Sequence, residues 1–280
     1  MTPIEIAHFL QEMHRLPSLS AVVLELLSSL NHDEVNSELL VTKIGQDQAL
    51  SARTLKLANS SFYGMTFRST TIRDAVSILG SRTVRRLASS AALIVAFPGN
   101  LQSGFDVRSL WHHAIATALC AGELARLTQS DQDIAYVAGL LHDVGRLALA
   151  TQFPNAYDQA MAYRAEHSCS VTTAEMATLG INHSIAGAAL IRHWNLALPL
   201  QQALASHHSE LTQDADLLSV IVQSANAIAH ALNLLGEPSV TQLNLPESVL
   251  QRLGLDGTAM DALQAKVMQQ FIAASSALDH

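Results

Sequence analysis

The segment Gly139 to Arg146 reads GLLHDVGR and sets a histidine directly before an aspartate inside an apolar run. On a helix of about 3.6 residues per turn, His142 and Asp143 project about 100° apart. They can grip one object from two sides, but they cannot satisfy each other. Gly139 and Gly145 lie three residues before and after His142 and share its face. Each costs about 1 kcal/mol of helix propensity relative to alanine. The space they leave admits a metal with its other ligands, or a closely packed neighbouring helix. Histidines elsewhere bear on that choice. His113, His183 and the pair His207-His208 fall on three further predicted helices, each beside small or apolar residues. Ligands projected inward from facing helices build metal sites in helical bundles. Neutral imidazole suits iron, zinc, copper or nickel, and a carboxylate such as Asp143 can bridge two ions. His167, His193 and His230 are read as packed or half-exposed residues outside that set.

The elements that must position these residues are helices throughout. Asp106 is placed to cap a long helix carrying Leu110, Trp111, Ala114, Ala118 and Leu119 on its apolar face, with His112-His113 near its start. Asp133 is expected to cap a central helix that runs unbroken through His142-Asp143 to Leu149. Thr172 or Thr173 opens a short helix holding Glu175 and stopped at Gly180. Asn182 caps the helix that begins at His183, and Pro199 opens one ending at His207-His208. Asp214 or Asp216 caps an apolar helix with Asn226 and His230. Upstream, helices flank the break Leu16-Pro17-Ser18-Leu19, Ser37 caps another, and Asn59-Ser60-Ser61 stops the helix after it. Thr71 and Asp74 have capping-box spacing. Ser81 then restarts a helix bearing Arg82, Arg85 and Arg86. No strand and no repeat is evident, so the fold class is all-α. Turn-rich segments at Pro98 to Gly104 and Gly236 to Pro246 divide the chain. They give an N-terminal helical subdomain over 1–103, a bundle with the histidines over 104–235, and a C-terminal helical extension over 236–280.

Composition narrows the classes. Charged residues are 14% of the 280, against roughly 25% for an average soluble domain. With 49% hydrophobic and only 5% aromatic residues, helices are favoured over sheets. No apolar run reaches the ~18 residues that span a bilayer, and the first residues lack the basic start of a signal peptide. Cys120 and Cys169 suggest neither a disulfide framework nor a zinc ribbon. A cytoplasmic protein without membrane association is the expectation. The helix pair joined at ILGSRTVRRL could be a DNA-reading helix-turn-helix, or an ordinary hairpin with Arg82, Arg85 and Arg86 as a solvated basic face. The formal charge of −8 favours the second and argues against nucleic acid as the main partner.

The order His113, His142-Asp143, His183, His207-His208 resembles the ligand set of the HD superfamily, especially its HD-GYP phosphodiesterase branch. The chain resembles more closely the HDOD family of bacterial regulatory proteins. The carrying motifs are LPSL at Leu16 to Leu19, QDQALSARTLKLANSSFYG from Gln46, AVSILG at Ala75 to Gly80, and GLLHDVGRL. They span roughly Leu16 to His208 in the family's order. The resemblance implies an N-terminal helical subdomain packed on an HD-like bundle, acting in signal transduction without an established enzymatic activity. It also implies a divalent ion at His113, His142, Asp143, His183, His207 and His208, iron first, with zinc, manganese or nickel as alternatives. Two departures stand out. The HD pattern ends on a metal-binding aspartate of a late helix, where VIVQSANAIAHA offers Asn226. The phosphodiesterases carry a lysine three residues after their aspartate, where this chain has Arg146; the GYP segment is absent.

Two divalent ions held by imidazoles and Asp143 alone would leave a charge of about +3, which is costly to bury. One tightly held ion or two weakly held ones are therefore expected. Glu123 and Glu175 are further carboxylates that the sequence does not place. Arg146 reads as a bidentate phosphate donor or as a solvated helix-end cation. The favoured reading is a non-enzymatic regulator that binds metal or a small ligand in a degenerate HD site and relays a signal to a protein partner. The alternative is a metal-dependent phosphohydrolase or phosphodiesterase acting on a nucleotide or cyclic dinucleotide.

Overall fold

The computed structural model describes residues 6–12, 19, 21–28, 37–59, 69–97, 104–211, 214–234 and 243–275. Among them every regular element is a helix. The N-terminal part forms α1 (Ile6–Glu12), α2 (Ala21–Ser28), α3 (Ser37–Gly45), α4 (Gln48–Ala58), α5 (Ile72–Leu79) and α6 (Ser81–Ala96). Then come α7 (Val107–Leu127), α8 (Gln132–Leu141), α9 (Val144–Gln152), α10 (Pro154–His167) and α11 (Val171–Leu179). They are followed by α12 (His183–His193), α13 (Leu198–Ser206), α14 (Leu217–Leu232), α15 (Glu247–Leu253) and α16 (Gly257–Ser275). Residues 16–18 of the expected first break, the stop at residues 60–61, the FYG motif at 62–64 and the turn-rich stretches at 98–103 and 236–242 lie outside the described residues. No helix among the described residues is long and apolar enough to cross a membrane.

Local signals place most helix starts. Thr71 accepts from the N–H of Asp74 at 3.1 Å while Asp74 accepts from the N–H of Thr71 at 3.1 Å, completing the capping box of α5. Asp106 caps α7 through the Ser109 N–H, Asn182 caps α12 through the Ile185 N–H, and Asp216 caps α14 through the Ser219 N–H. Two caps differ from expectation. Asp131, not Asp133, caps α8, accepting from the N–H groups of Asp133 and Ile134. Ser170, not Thr172 or Thr173, caps α11 through the Thr173 N–H. In both cases an earlier residue of equivalent capping chemistry sits at the extended position that a cap requires.

Asp133 is instead buried at the seam between α6 and α8. Its carboxylate pairs with Arg85, with Arg86 at 2.7 Å and with Arg82 at 3.4 Å. Arg86 also lies over the ring of Tyr136, whose hydroxyl is 3.0 Å from Ser90 Oγ. The solvated basic face is thereby corrected. Arg85 is buried, Arg86 is partly covered and Arg82 alone of the three is exposed. The cause is tertiary: α6 packs on α8 with that face inward.

The central helix also differs from expectation, because it breaks at His142-Asp143. α8 ends at Leu141 and α9 starts at Val144, with Asp143 at φ −100°, ψ 8° between them. Glycines set the depth of packing on both sides of the break. A Cβ at Gly139 would come within 2.8 Å of Ala118 Cα on α7. At Gly145 it would lie 1.9 Å from the His183 carbonyl oxygen and 2.6 Å from the Gly187 nitrogen, both on α12. Of the two uses open to that space, neighbouring helices fill it. α7 is covered by α8, α14 and α16, and α12 lies on α9 and α13. The helix break thus sits where α7, α12, α13 and α14 converge.

Candidate metal centre

His142 and His207 are built alike. The Nδ1–H of His142 donates to the Gly139 carbonyl at 2.7 Å, and that of His207 donates to the Leu204 carbonyl at 2.7 Å. Each bond fixes the tautomer, so that Nε2 presents a lone pair. Both Nε2 atoms are buried without a hydrogen-bond partner. They point toward one carboxylate oxygen, Asp143 Oδ1, at 3.7 Å and 3.5 Å.

His183 stands between two carboxylates. Glu175 Oε2 accepts from its Nδ1–H at 2.6 Å and from its backbone N–H at 2.8 Å. Its Nε2 lies 3.2 Å from Asp143 Oδ1 and 2.9 Å from His208 Nε2. His113, from α7, has its Nε2 2.9 Å from Asn226 Oδ1 on α14, and its ring lies 4.2 Å from that of His230, tilted by 30°. Arg146 donates to Asp143 Oδ2 at 3.2 Å and to the Tyr157 hydroxyl at 3.1 Å. His113, His142, Asp143, His183, His207, His208, Asn226 and Arg146 therefore lie together, and Arg146 is not a solvated helix-end cation. His230 adjoins the cluster through its ring contact with His113. Glu123 does not reach it, being paired with Arg126 and Lys266.

The surroundings set the protonation states. Burial, with the His230 ring beside it, pushes His113 down to about 4. Burial likewise holds His142 well below its ordinary value. Desolvation and the neighbouring rings of His207 and His183 take His208 to about 3. His183 goes the other way. Burial opposes its charge, but Asp143 and Glu175 on either side raise it to about 9. Burial also opposes the charge of Asp143, yet the His142 and His183 imidazoles facing it hold its carboxyl well below the usual range.

These residues fit a divalent cation. Ligand atoms of Asp143, His183, His207 and His208 lie within 4.8 Å of one another, as do those of His113, His142 and Asp143. Two atoms each about 2.1 Å from a tetrahedral ion are about 3.4 Å apart, close to the separations of Asp143 Oδ1 from the three Nε2 atoms. Buried lone pairs with no donor are costly, and a divalent cation is a partner whose preferences match this donor set.

Glu175 and Tyr157 are the functional neighbours that sequence reasoning did not place. Glu175 lies on α11 and Tyr157 on α10, and no spacing rule links either to the helix break. A carboxylate behind a ligating imidazole is a recurrent arrangement in metal sites. That pattern could have nominated Glu175 only once α11 was known to precede α12 in space.

The HDOD domain is matched over residues 16–210. An uncharacterized protein of Treponema pallidum is 32% identical over 197 residues, 69% of this chain, which spans only 38% of that relative's length. The solved structure of an HDOD-domain protein of unknown function from Geobacter sulfurreducens is similar at a TM-score of 0.79 and 26% identity, covering 97% of this chain and 96% of that one. That of a candidate phosphohydrolase from Shewanella amazonensis is similar at 0.76 and 25%, covering 96% and 97%. Since the domain match runs through every helix that supplies the cluster except α14, the chain belongs to the HDOD family.

Proposed function

We propose that the chain is a regulatory, signal-transducing HDOD module whose histidine–aspartate cluster holds a divalent ion and whose helices relay the state of that cluster to a protein partner. The observation that carries the metal reading is the pair of buried, partnerless Nε2 atoms at His142 and His207, both aimed at Asp143. In this reading His113, His142, Asp143, His183, His207 and His208 supply the donors. Asn226 occupies the place of the late carboxylate. Iron is the first expectation, with zinc, manganese or nickel as alternatives. A bound divalent ion supplies charge compensation for these lone pairs and Lewis acidity toward an entering oxygen ligand.

Regulation is favoured over catalysis by Asn226, a neutral amide bonded to His113 where a carboxylate would add charge. A relay path is at hand: α7 carries His113 toward the cluster and His112 toward α16, where it meets Phe271 edge-on at 5.9 Å. The division at residues 103/104 and 235/236 belongs to the same reading, with the C-terminal extension as the output side. The second reading, a metal-dependent phosphohydrolase or phosphodiesterase, draws on the description of the Shewanella relative. Arg146 would then serve as a phosphate donor.

The test is metal content of protein purified without chelators, together with hydrolysis of bis(p-nitrophenyl) phosphate and of a cyclic dinucleotide. A bound ion without turnover is expected. Turnover that Asp143→Ala abolishes would transfer the assignment to the second reading, and a metal-free protein that takes up no ion would end both.

A further inference from the structure

The two oxygens of Asp143 face different surroundings. Oδ1 is the one near His142, His183 and His207, so it serves both histidine groups. Oδ2 accepts from Arg146 Nη1. The guanidinium is held from three directions. Its Nε donates to the Tyr157 hydroxyl, its Cζ lies 5.6 Å from the centroid of Phe105, and Nη1 meets Asp143. Phe105 packs edge-on against Tyr157, which is fully buried. The anchor is therefore part of the core, and the charge it fixes is permanent.

We infer that Arg146 restricts the cluster to a single divalent ion, by occupying Oδ2 of Asp143 and by fixing positive charge beside the position of a second. The inference rests on the metal-binding reading above. A carboxylate shared between two ions can give one oxygen to each. Here both ions would have to share Oδ1. Charge acts in the same direction. Asp143 and Glu175 contribute two negative charges and Arg146 one positive. With neutral imidazoles, one divalent ion leaves the cluster one positive charge in excess, and two leave three. Burying that excess is costly. One group, Asp143 with His183, His207 and His208, offers three imidazoles. The other group offers two, and one of them, His113, is engaged by Asn226. Arg146 is in this sense a positioning residue for Asp143.

The test separates Arg146 from the missing late carboxylate. Full-length chain is stripped and reloaded with manganese(II), and ions per chain are counted by plasma mass spectrometry. Electron paramagnetic resonance reports whether two manganese ions are spin-coupled. Parent and Asn226→Asp are each expected to hold one ion. Asn226→Asp combined with Arg146→Gln, or with Arg146→Met, is expected to hold two and to show the coupled signal. Tyr157→Phe, which loosens the guanidinium but keeps its charge, stays at one. Two ions in the parent or in Asn226→Asp overturn the inference whether or not the double variants fold. One ion in both folded double variants overturns it as well. No ion in any form overturns the metal reading itself, and the inference falls with it.

Discussion

Glu175 uses a single oxygen to accept from both the ring and the backbone of His183, and so sets the tautomer and rotation of that imidazole. A partner of this kind typically contributes tenfold to hundredfold in metal affinity. Glu175→Gln should weaken manganese binding by about 10–100-fold, read by competition with a chelating dye. Unchanged affinity would mean that the ring is held by its other contacts. Asp133 makes the corresponding residue-scale prediction for stability. Asp133→Asn removes the carboxylate facing Arg85 and Arg86 inside the α6–α8 seam. Loss of one side of a buried ion pair costs about 3–5 kcal/mol, so the urea midpoint should fall markedly. A shift within about 0.5 kcal/mol would show that water or local rearrangement compensates. The same geometry means that changing Arg82, Arg85 and Arg86 to alanine tests folding before it tests any affinity for DNA.

Helix-on-helix approach is where glycines at two sites part company. A Cβ at Gly145 collides with the backbone of α12 at His183 and Gly187, and backbone cannot yield as a flexible side chain can. Overpacking of this sort costs about 1–3 kcal/mol or more, and relief requires α9 and α12 to separate. Gly145→Ala should therefore lower stability and also weaken ion binding, because His183 moves with α12. Gly122, inside α7, is the contrasting case. Its nearest neighbours would be 3.7–3.9 Å from an added Cβ, an ordinary contact distance. Gly122→Ala should stabilise by up to about 1 kcal/mol through helix propensity. Thermal melts of the two variants should move in opposite directions; parallel shifts would show that packing distance does not decide the outcome.

At the scale of the molecule, the cluster draws its donors from α7, α12, the α8–α9 break and the residues just after α13. An ion held there ties these parts together. Binding to the folded state alone stabilises by about 2.7 kcal/mol at a hundredfold excess over the dissociation constant. For a chain of this size that corresponds to a rise of roughly 5–10 °C in melting temperature. Chelator-treated protein should melt lower than protein with added manganese by about that amount, and magnesium should do little, because it takes oxygen in preference to imidazole. Identical melting with and without metal would place the ion outside the folded core.

What the sequence alone determined was whatever is written over a few neighbouring residues. The helical class, the capping box at Thr71 and Asp74, and the caps at Asp106, Asn182 and Asp216 belong here, because cap and apolar stripe lie within one or two turns of each other. The histidines that meet were also legible, since their order along the chain resembles a family pattern. What only the tertiary structure decided involves partners on separate elements. Asp133 became the carboxylate of an arginine seam, not a cap, because α6 turns its basic face toward α8. Glu175 came behind His183 because α11 packs beside α12. The glycines flanking His142 were filled by α7 and α12 instead of by metal. Arg146, legible only as a cation after the doublet, acquired its place from Tyr157 and Phe105. Such contacts follow from how whole helices settle against one another, and no short window of residues specifies that.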